Sequence, residues 1–555
     1  MRRGQEAQAA PLDGGTRRSL PRFHRHNFEP PRMMAFVKDL SSAAGRWSDA
    51  LVGAKRERAV LITLGVYGLF WMLYRILATW PRDIHHDMTE AYVWSRALAG
   101  GYDKHPPMSG WIVAAWFSVF PATDWAFTLL AVVNIVATLV IAWKMFARWL
   151  PPEKAVFGLA MLTLIPFYNF HALKFNANSV LLPFWALAAY AVMRLFEQRS
   201  TLWALIAGVS AGAAMLGKYW SVFLVAGLGV AALLDPRRLA FLRSPAPWII
   251  IAAGLVTIAP HLHWLLDDGF ALMAYASARM VAIDPGPVVV SAHYAAGLIA
   301  FAAAPVALFV ILARPDRAGW RDLLLPREPQ RRLMLAAFAL PVLLPIAASL
   351  TLQLEIVALW MIPGLTLLPL VVLSSPRIVI DRRAVKVMLV VATVFSGGLL
   401  LLSPWISLAI HLTSTPRPSD HASLLAERLQ MEWPALEPIT HVAGEPELAM
   451  SVAFYLGGPV RYLPGGAGQL AAQVREAAPN RAIRGVAVCP SEDLVCVAGL
   501  DSAGGQRLFE GALARAWDWR FGRVAGRPVG YVAAAIVPQE KPAPSTPKPQ
   551  LQAAR

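Results

Sequence analysis

Apolar segments of about 20 residues alternate along this chain with short polar connections, and a run of that length can cross a bilayer as an α-helix. The pattern predicts spans at about 58–79, 125–147, 155–171, 177–196, 202–217, 219–234, 246–266, 288–312, 333–350, 355–373 and 385–411. We therefore expect a polytopic α-helical membrane protein with about eleven transmembrane helices. The apolar run at 108–120 is too short to cross and predicts a helix lying at the membrane interface.

The composition supports a membrane protein, since 57% of the residues are hydrophobic and only 15% are charged. The net charge of +16 could by itself suggest a nucleic-acid partner. The basic residues cluster between apolar segments, however, where membrane proteins keep their cytoplasmic loops. We therefore predict contact with membrane lipids and no nucleic-acid partner.

The distribution of Lys and Arg also predicts the orientation. With the N-terminus inside, alternate loops on the inner side hold most of the basic residues, including six between the spans that end near 312 and begin near 333. The outer loops hold few, namely Arg82, Arg96, Lys104, Lys174, Lys218 and Arg279. This arrangement places the polar clusters and the part of the chain after the last span outside.

The same pattern divides the chain into domains. We expect a disordered basic cytoplasmic tail at 1–45, a transmembrane domain at 58–411 with its first outer loop at 78–121, a small extracytoplasmic α/β domain at 412–537 and a disordered tail at 538–555. Cys489 and Cys496 could form a disulfide if that domain lies outside the cytoplasm, but their spacing alone does not establish it.

The first outer loop carries the densest candidate chemistry. Asp87 and Glu90 are three residues apart, so a helix would place both carboxylates on one face. His85, His86 and His105 flank them, and the Pro106-Pro107 pair directs the chain back into apolar sequence. An ordinary polar loop between two helices is the alternative interpretation.

Three motifs give this chain a resemblance to a known family. Glu90-Ala-Tyr92-Val-Trp94 followed by Gly101-Tyr102-Asp-Lys-His105-Pro106-Pro107 is similar to the DEAYYW…GYYDHPP signature of bacterial glycosyltransferase family 39. Asn178-Ser-Val-Leu-Leu-Pro-Phe-Trp185-Ala-Leu-Ala resembles DAPLLFFWALA, and Leu216-Gly-Lys218-Tyr219 resembles LSKY or LTKG. The resemblance covers roughly 58–270. The family has the GT-C fold and is related to protein O-mannosyltransferases and aminoarabinose transferases.

The resemblance implies transfer of a sugar from a polyprenyl-phosphate carrier to an acceptor at the periplasmic face of the bacterial inner membrane. A carboxylate would take the proton of the acceptor hydroxyl, and cations would stabilise the departing phosphate. One direct displacement inverts the anomeric centre, and we expect neither a cofactor nor a metal. The expected acceptor is a lipopolysaccharide, another glycolipid or a surface polysaccharide, with a protein acceptor left open.

The resemblance also assigns the carboxylates. In the family an Asp directly precedes the Glu, whereas this chain has Thr89 there and an Asp two residues earlier. We predict Asp87 as the base and Glu90 as its substitute. A helix cap or an ion pair is the structural alternative for each.

The other candidates are substrate-binding residues. Lys218 and Lys174 would be phosphate ligands or interface cations, with the first favoured for Lys218. Asn178 could bind sugar hydroxyls but could not be a second base, and His105 would orient the loop or contact the substrate. The remaining substrate-binding predictions are Tyr219, Tyr102, Arg279 and His261. Tyr102 could instead serve packing, and a metal on His261 and His263 lacks a clear third ligand.

Two other classes of function compete with this reading. A transporter or flippase would need charges deep inside spans or two matching halves, and we find neither pattern in the sequence. A membrane assembly protein that has lost activity would be consistent with the two departures from the acidic pattern, at Thr89 and Asn178.

Overall fold

The computed structural model describes residues 42–43, 45–267, 270–280, 285–433, 437–477, 483–519 and 522–537. The chain forms two compact units, Met1–Trp47 and Ser48–Arg555. Of the tail predicted at 1–45 only residues 42–43 and 45 are described, and these are helical. The tail predicted at 538–555 lies outside the described residues.

Six helices among the described residues are long and apolar enough to cross a membrane. They are α1 (Arg56–Thr79), α4 (Asp124–Trp149), α10 (Ala246–Asp267), α12 (Pro287–Ala313), α14 (Pro329–Leu352) and α16 (Arg382–Thr413). Each coincides with a predicted span to within a few residues. The total of about eleven spans stays a prediction.

Shorter helices fill the intervals between them. They are α2 (His86–Ser95), α3 (Met108–Phe117), α5 (Pro152–Thr163), α6 (Leu181–Gln198), α7 (Thr201–Gly217), α8 (Val222–Leu234), α9 (Arg238–Leu242), α11 (Ala271–Met280), α13 (Arg317–Leu324) and α15 (Leu368–Leu373). Helix α3 is the short apolar helix predicted at 108–120. Single 3₁₀ turns lie at Pro166–Tyr168 and Tyr219–Ser221, and a longer one at Ala358–Leu367.

Two predicted spans are interrupted. The segment at 155–171 contains α5, which ends before a 3₁₀ turn that begins at Pro166, and the segment at 355–373 is a kinked 3₁₀ stretch that precedes α15. Proline disfavours helix at the residue before it and removes a hydrogen-bond donor. The two breaks face each other, because the Tyr168 hydroxyl lies 2.6 Å from the Thr366 hydroxyl and both residues are buried. Irregular backbone at membrane depth is tolerated where protein covers it.

The chain after α16 contains a mixed sheet with helices on both faces. The strands are β1 (His441–Gly444), β2 (Arg461–Tyr462), β3 (Gly485–Pro490), β4 (Gln506–Leu513), β5 (Ala516–Trp519), β6 (Gly522–Ala525) and β7 (Val529–Ile536). The helices are α17 (Ala422–Glu432), α18 (Pro446–Leu456), α19 (Gly466–Glu476) and α20 (Leu494–Ser502), with a 3₁₀ turn at Pro418–His421. The sheet has the order β2-β1-β3-β7-β4, and β5 and β6 form a separate hairpin.

Parallel and antiparallel pairs meet within the sheet. Strand β1 runs parallel to β2 and β3, with Val442 opposite Val486, and β7 runs antiparallel to β3 and β4. Two apolar clusters cover its faces, one formed with α17 and α18 and the other with α19 and α20. Cys489 and Cys496 form a disulfide with their Cα atoms 5.7 Å apart.

This sheet domain packs directly on the first outer loop. Helix α18 contacts α2, where the rings of Phe454 and Tyr92 meet edge to face with centroids 5.0 Å apart. The Tyr455 hydroxyl accepts a hydrogen bond from the Ile84 N–H at 3.1 Å and donates to Asp124 at the start of α4. The loop is therefore held between transmembrane helices and the sheet domain.

Candidate active site

Helix α2 presents the two predicted carboxylates. It begins after His85, whose extended backbone ends the preceding loop and whose Nδ1 lies 3.2 Å from the Asp87 N–H. Asp87 in the first turn is favoured by the helix dipole. The Asp87 side chain is 26% exposed and that of Glu90 is 12% exposed, so both carboxylates are largely shielded from water.

Asp87 is surrounded by hydrogen-bond donors and positive charge. One carboxylate oxygen lies 3.1 Å from His86 Nε2, and the other accepts from Asn176 Nδ2 at 2.9 Å and lies 3.8 Å from Lys174 Nζ. Burial by itself raises the pKa of Asp87, but the side chains of His85, His86 and Asn176 hold it well below its usual range. Asp87 is therefore ionised at any physiological pH.

The connection between α5 and α6 links Asp87 to the partly buried ammonium group of Lys218. The side-chain amide of Asn176 donates to Asp87 through Nδ2, and its Oδ1 accepts a hydrogen bond from the backbone N–H of Asn178 at 3.0 Å. Asn178 Oδ1 in turn accepts from Lys218 Nζ at 2.8 Å. Asp87, Asn176, Asn178 and Lys218 thus form one continuous hydrogen-bonded path. Asn176 was not among the predicted site residues, although it stands in the same polar stretch.

Lys218 occupies the break between α7 and the 3₁₀ turn at Tyr219–Ser221, where the backbone is extended. Its Nζ lies 4.4 Å from the centroid of the Trp360 ring, in cation–π geometry. Burial lowers the pKa of Lys218 to about 7, and the negative charge of Asp87 opposes this only in part. A bound anion beside Lys218 would favour its charged form.

Glu90 is engaged differently from Asp87. Lys104 Nζ donates to Glu90 Oε1 at 2.6 Å. Burial raises the pKa of Glu90, although Lys104 opposes the shift. The two carboxylates therefore differ, since Asp87 lies on the path to Lys218 whereas Glu90 is occupied by an ion pair.

The motif after α2 is packed more tightly than a flexible loop. Tyr102 is buried and stacks on Trp94 with centroids 5.2 Å apart, which agrees with the packing alternative for this tyrosine. His105 contacts the Trp94 ring edge to face, and burial together with the charges of Lys218 and Lys104 lowers its pKa to about 3. His105 is therefore neutral, with the charge of Lys218 acting on its ring.

Helix α10 holds the same loop from the membrane side. His261 Nδ1 lies 2.7 Å from the Gly100 carbonyl oxygen and its Nε2 lies 2.6 Å from the Tyr219 hydroxyl. A Cβ at Gly101 would come within 2.3 Å of the Trp264 ring, so only glycine fits there. His261 and Tyr219 thus connect the loop to the Lys218 turn.

The other predictions near α10 concern a metal site on His261 and His263, and substrate binding by Arg279. His261 is buried, whereas the side chain of His263 is 81% exposed and pairs with Asp267, so the two histidines do not face a common metal position. Arg279 belongs to α11, but its side chain lies outside the described part of the structure.

Comparison with known proteins agrees with the fold and the motifs. Residues 104–264 match the family model described as dolichyl-phosphate-mannose-protein mannosyltransferase. The chain is 31% identical over 187 residues to the lipid A galacturonosyltransferase RgtD of Rhizobium johnstonii, covering 33% of this chain and 39% of RgtD. It is 27% identical over 328 residues to the lipopolysaccharide core galacturonosyltransferase RgtB of the same organism, covering 56% of this chain and 64% of RgtB. The matches therefore span less than two thirds of either relative.

Solved structures extend the likeness to most of the chain. ArnT from Cupriavidus metallidurans superposes with a TM-score of 0.60 in its apo state and 0.57 when bound to undecaprenyl phosphate. At 14% identity each superposition covers 87% of this chain, and 98% and 99% of the respective ArnT chains. The resemblance to glycosyltransferase family 39 is confirmed. At this identity the structural likeness establishes the GT-C type of polytopic membrane fold.

The departure from the family-39 pattern at Thr89 has a packing explanation. Thr89 is fully buried, its hydroxyl donates to the His86 carbonyl oxygen, and it lies 2.9 Å from the Ser451 hydroxyl of α18. A carboxylate at this position would be enclosed against the sheet domain without a cation beside it. Asp87, one helical turn from Glu90, is instead the acid that reaches Asn176 and Lys174.

Arg417 also contacts the histidines beside Asp87, and the sequence did not reveal this role because the local sequence Thr415-Pro-Arg417-Pro-Ser is typical of a linker. Its Nη1 lies 3.0 Å from His85 Nε2 and 3.2 Å from His86 Nδ1. A guanidinium only donates, so this contact favours the tautomer in which His86 accepts at Nδ1 and carries its proton at Nε2, 3.1 Å from Asp87. Glu447 Oε2, which lies 3.4 Å from the same Nδ1, favours a proton there instead.

Within the described residues, His85, His86 and Asp87 are the one group of three side chains whose potential metal-ligand atoms lie within 4.8 Å of one another. Arg417 and Lys174 also approach His85 Nε2, the latter at 3.4 Å. Positive charge at that nitrogen disfavours a divalent cation. The expectation of a metal-independent reaction stays a prediction.

Proposed function

We propose that this protein is an inverting glycosyltransferase that moves a sugar from a polyprenyl-phosphate carrier to lipopolysaccharide or its lipid A. The observation that carries the proposal is the hydrogen-bonded path from Asp87 through Asn176 and Asn178 to Lys218. It holds an ionised carboxylate and a partly buried ammonium group in one unit. Those are the two groups that a direct displacement at a sugar phosphate requires.

In the proposed step the acceptor hydroxyl attacks the anomeric carbon while the bond to the carrier phosphate breaks. The hydroxyl proton passes to Asp87, and the bonding electrons leave with the phosphate, whose negative charge Lys218 stabilises. The low pKa of Asp87 is compatible with this role, because the attacking oxygen becomes strongly acidic as it bonds to carbon. One displacement inverts the anomeric configuration.

The relatives suggest the substrates to test first. RgtD and RgtB are named as galacturonosyltransferases that act on lipid A and on lipopolysaccharide core. We infer a galacturonosyl donor and an acceptor of the same class for this chain. The proposed location is the bacterial inner membrane with the site at the periplasmic face, and the disulfide of the sheet domain supports an oxidising compartment for that domain.

The test is mass spectrometry of surface glycolipids from cells with and without the gene. We expect lipid A or core species that lack one hexuronic acid in the deletion strain, with restoration by the wild-type chain and not by Asp87→Asn at equal expression. Loss of a whole lipid species would indicate a flippase. Restoration by Asp87→Asn would indicate an assembly role and refute the proposal.

A further inference from the structure

A cavity of about 300 Å³ lies beside Asp87, between α1, the 169–180 connection and the segment after α16. Four cationic side chains line it: Arg75 and Arg82 from the end of α1 and its loop, Lys174 from the connection, and Arg417 from the segment after α16. We call it the basic pocket. Lys218 is not among its lining residues.

The acids of the basic pocket do not balance these cations. The two carboxylates in its lining are Asp83 and Asp420. When the neighbouring Asp87, Asp124 and Arg515 are counted as well, five cations face four carboxylates, which leaves an excess of one positive charge. Asp83 is already paired with Arg515, and Asp420 lies 2.9 Å from Arg417 and 3.7 Å from Arg82. An anionic ligand would supply the missing charge.

Arg75 carries most of this imbalance. Its guanidinium makes no hydrogen bond and no ion pair to any residue in the described part of the chain, although Asp124 acts on its charge from outside the lining. It stands near the outer end of a spanning helix, where burial of an unpaired charge is costly. A planar fork of donors facing a cavity is suited to a phosphate or a carboxylate.

The basic pocket is connected to the proposed base. Lys174 lines the pocket and places its Nζ 3.8 Å from Asp87 Oδ2, and His85, also in the lining, lies 3.5 Å from Asp87 Oδ1. The other branch of the Asp87 environment leads through the two asparagines to Lys218. Asp87 therefore stands between two separate sources of positive charge.

We propose that the basic pocket binds a phosphate group of the acceptor glycolipid. The assignment rests on the proposed function. A direct displacement places the attacking oxygen and the departing phosphate on opposite sides of the anomeric carbon. If Lys218 receives the departing phosphate, the cations on the other side of the base belong to the molecule whose hydroxyl Asp87 deprotonates. A cavity of this size holds a phosphate with part of one sugar.

The test measures binding by the full chain in nanodiscs to three probes: phosphorylated lipid A, enzymatically dephosphorylated lipid A, and undecaprenyl phosphate. Arg75→Gln is the main variant because it touches none of the groups around Asp87. Arg461→Gln, an exposed arginine of the sheet domain, is the matched control. Arg417→Gln is the second variant if thermal unfolding shows that Arg75→Gln does not fold.

We expect the variant to bind phosphorylated lipid A at least about tenfold more weakly, since hydrogen bonds to charged groups have that magnitude. Binding of the other two probes should stay unchanged, and the control should bind all three like the wild type. Weaker binding of undecaprenyl phosphate instead would assign the pocket to the donor and overturn the proposal. Equal affinity of the wild type for both forms of lipid A would also overturn it.

These outcomes are independent of turnover. If the wild type binds lipid A in a phosphate-dependent manner that Arg75 controls but transfers no sugar, the proposed function fails and the pocket assignment stands. If it transfers a sugar with no dependence on acceptor phosphate or on Arg75, the function stands and the pocket assignment fails.

Discussion

Replacing Asp87 by Asn is the most direct probe of the proposed chemistry. The amide keeps the shape of the carboxylate but cannot accept a proton, and it removes the negative charge that faces Lys174 and His86. Loss of a general base typically reduces the rate about 10²–10⁴-fold, which corresponds to roughly 3–5 kcal/mol of activation free energy. We expect kcat to fall by this amount. The KM for the donor should rise as well at neutral pH, because the negative charge of Asp87 supports the charged form of Lys218.

The assay is initial-rate transfer from a polyprenyl-phosphate sugar to lipid A by the reconstituted chain. Asp103→Asn, an exposed carboxylate of the same loop, is the matched control and should retain wild-type activity. Glu90→Gln breaks the ion pair with Lys104 and should cost less than Asp87→Asn. If Asp87→Asn kept its rate within tenfold of wild type, or if Glu90→Gln were the more damaging change, Asp87 would not be the base.

Three further predictions concern Lys218, Thr89 and the disulfide. Lys218 is charged below its pKa of about 7, so kcat/KM for the donor should fall as the pH rises through 7. Lys218→Arg should shift this fall in kcat/KM to higher pH. An unchanged pH–rate profile would contradict the role of Lys218 in binding the departing phosphate. Thr89→Asp encloses a carboxylate against Ser451 and should destabilise the fold by about 3 kcal/mol or more, whereas Thr89→Ser should not, as thermal unfolding would show. Cys489 and Cys496 should resist alkylation until they are reduced. Replacing both by Ser should lower the free energy of unfolding by roughly 2–3 kcal/mol, as expected for a disulfide that joins residues seven positions apart. Two freely alkylated thiols would refute the predicted extracytoplasmic location.

The long helices could be predicted well, because a helix that spans the bilayer needs an apolar run of about 20 residues, and such runs are visible in the hydropathy of the sequence. Helix α4 was expected at 125–147 and lies at Asp124–Trp149, and α10 was expected at 246–266 and lies at Ala246–Asp267. The interruption at Pro166 was missed, since an apolar run has the same hydropathy whether it is helical or broken. Contacts between residues far apart in sequence, such as those of Tyr168 with Thr366 and Tyr67, show how the broken backbone is covered.

Many residues of the site could be predicted from the sequence, whereas the contacts between them could not. Asp87, Asn178 and Lys218 were all named, because short polar motifs beside spans carry a local signal. That Asn176 joins them depends on a contact across 89 positions of sequence. Arg417 approaches His85 across 332 positions, and its surroundings of prolines indicate only a linker. The local sequence around Asn176 or Arg417 does not indicate which distant residue either one contacts.

The sheet domain contributes to the site, although its described strands make no contact with Asp87. Asp83, buried at the start of the loop, has its carboxylate held by Arg515 and by the Ser423 N–H, and burial raises its pKa to about 7. Without those partners a buried carboxylate would either take a proton or draw the loop outward toward water. The segment that leads into the domain also supplies Arg417, whose guanidinium contacts both His85 and His86. A domain with no catalytic motif of its own thus determines where the loop lies and supplies a cation to the surroundings of the proposed base.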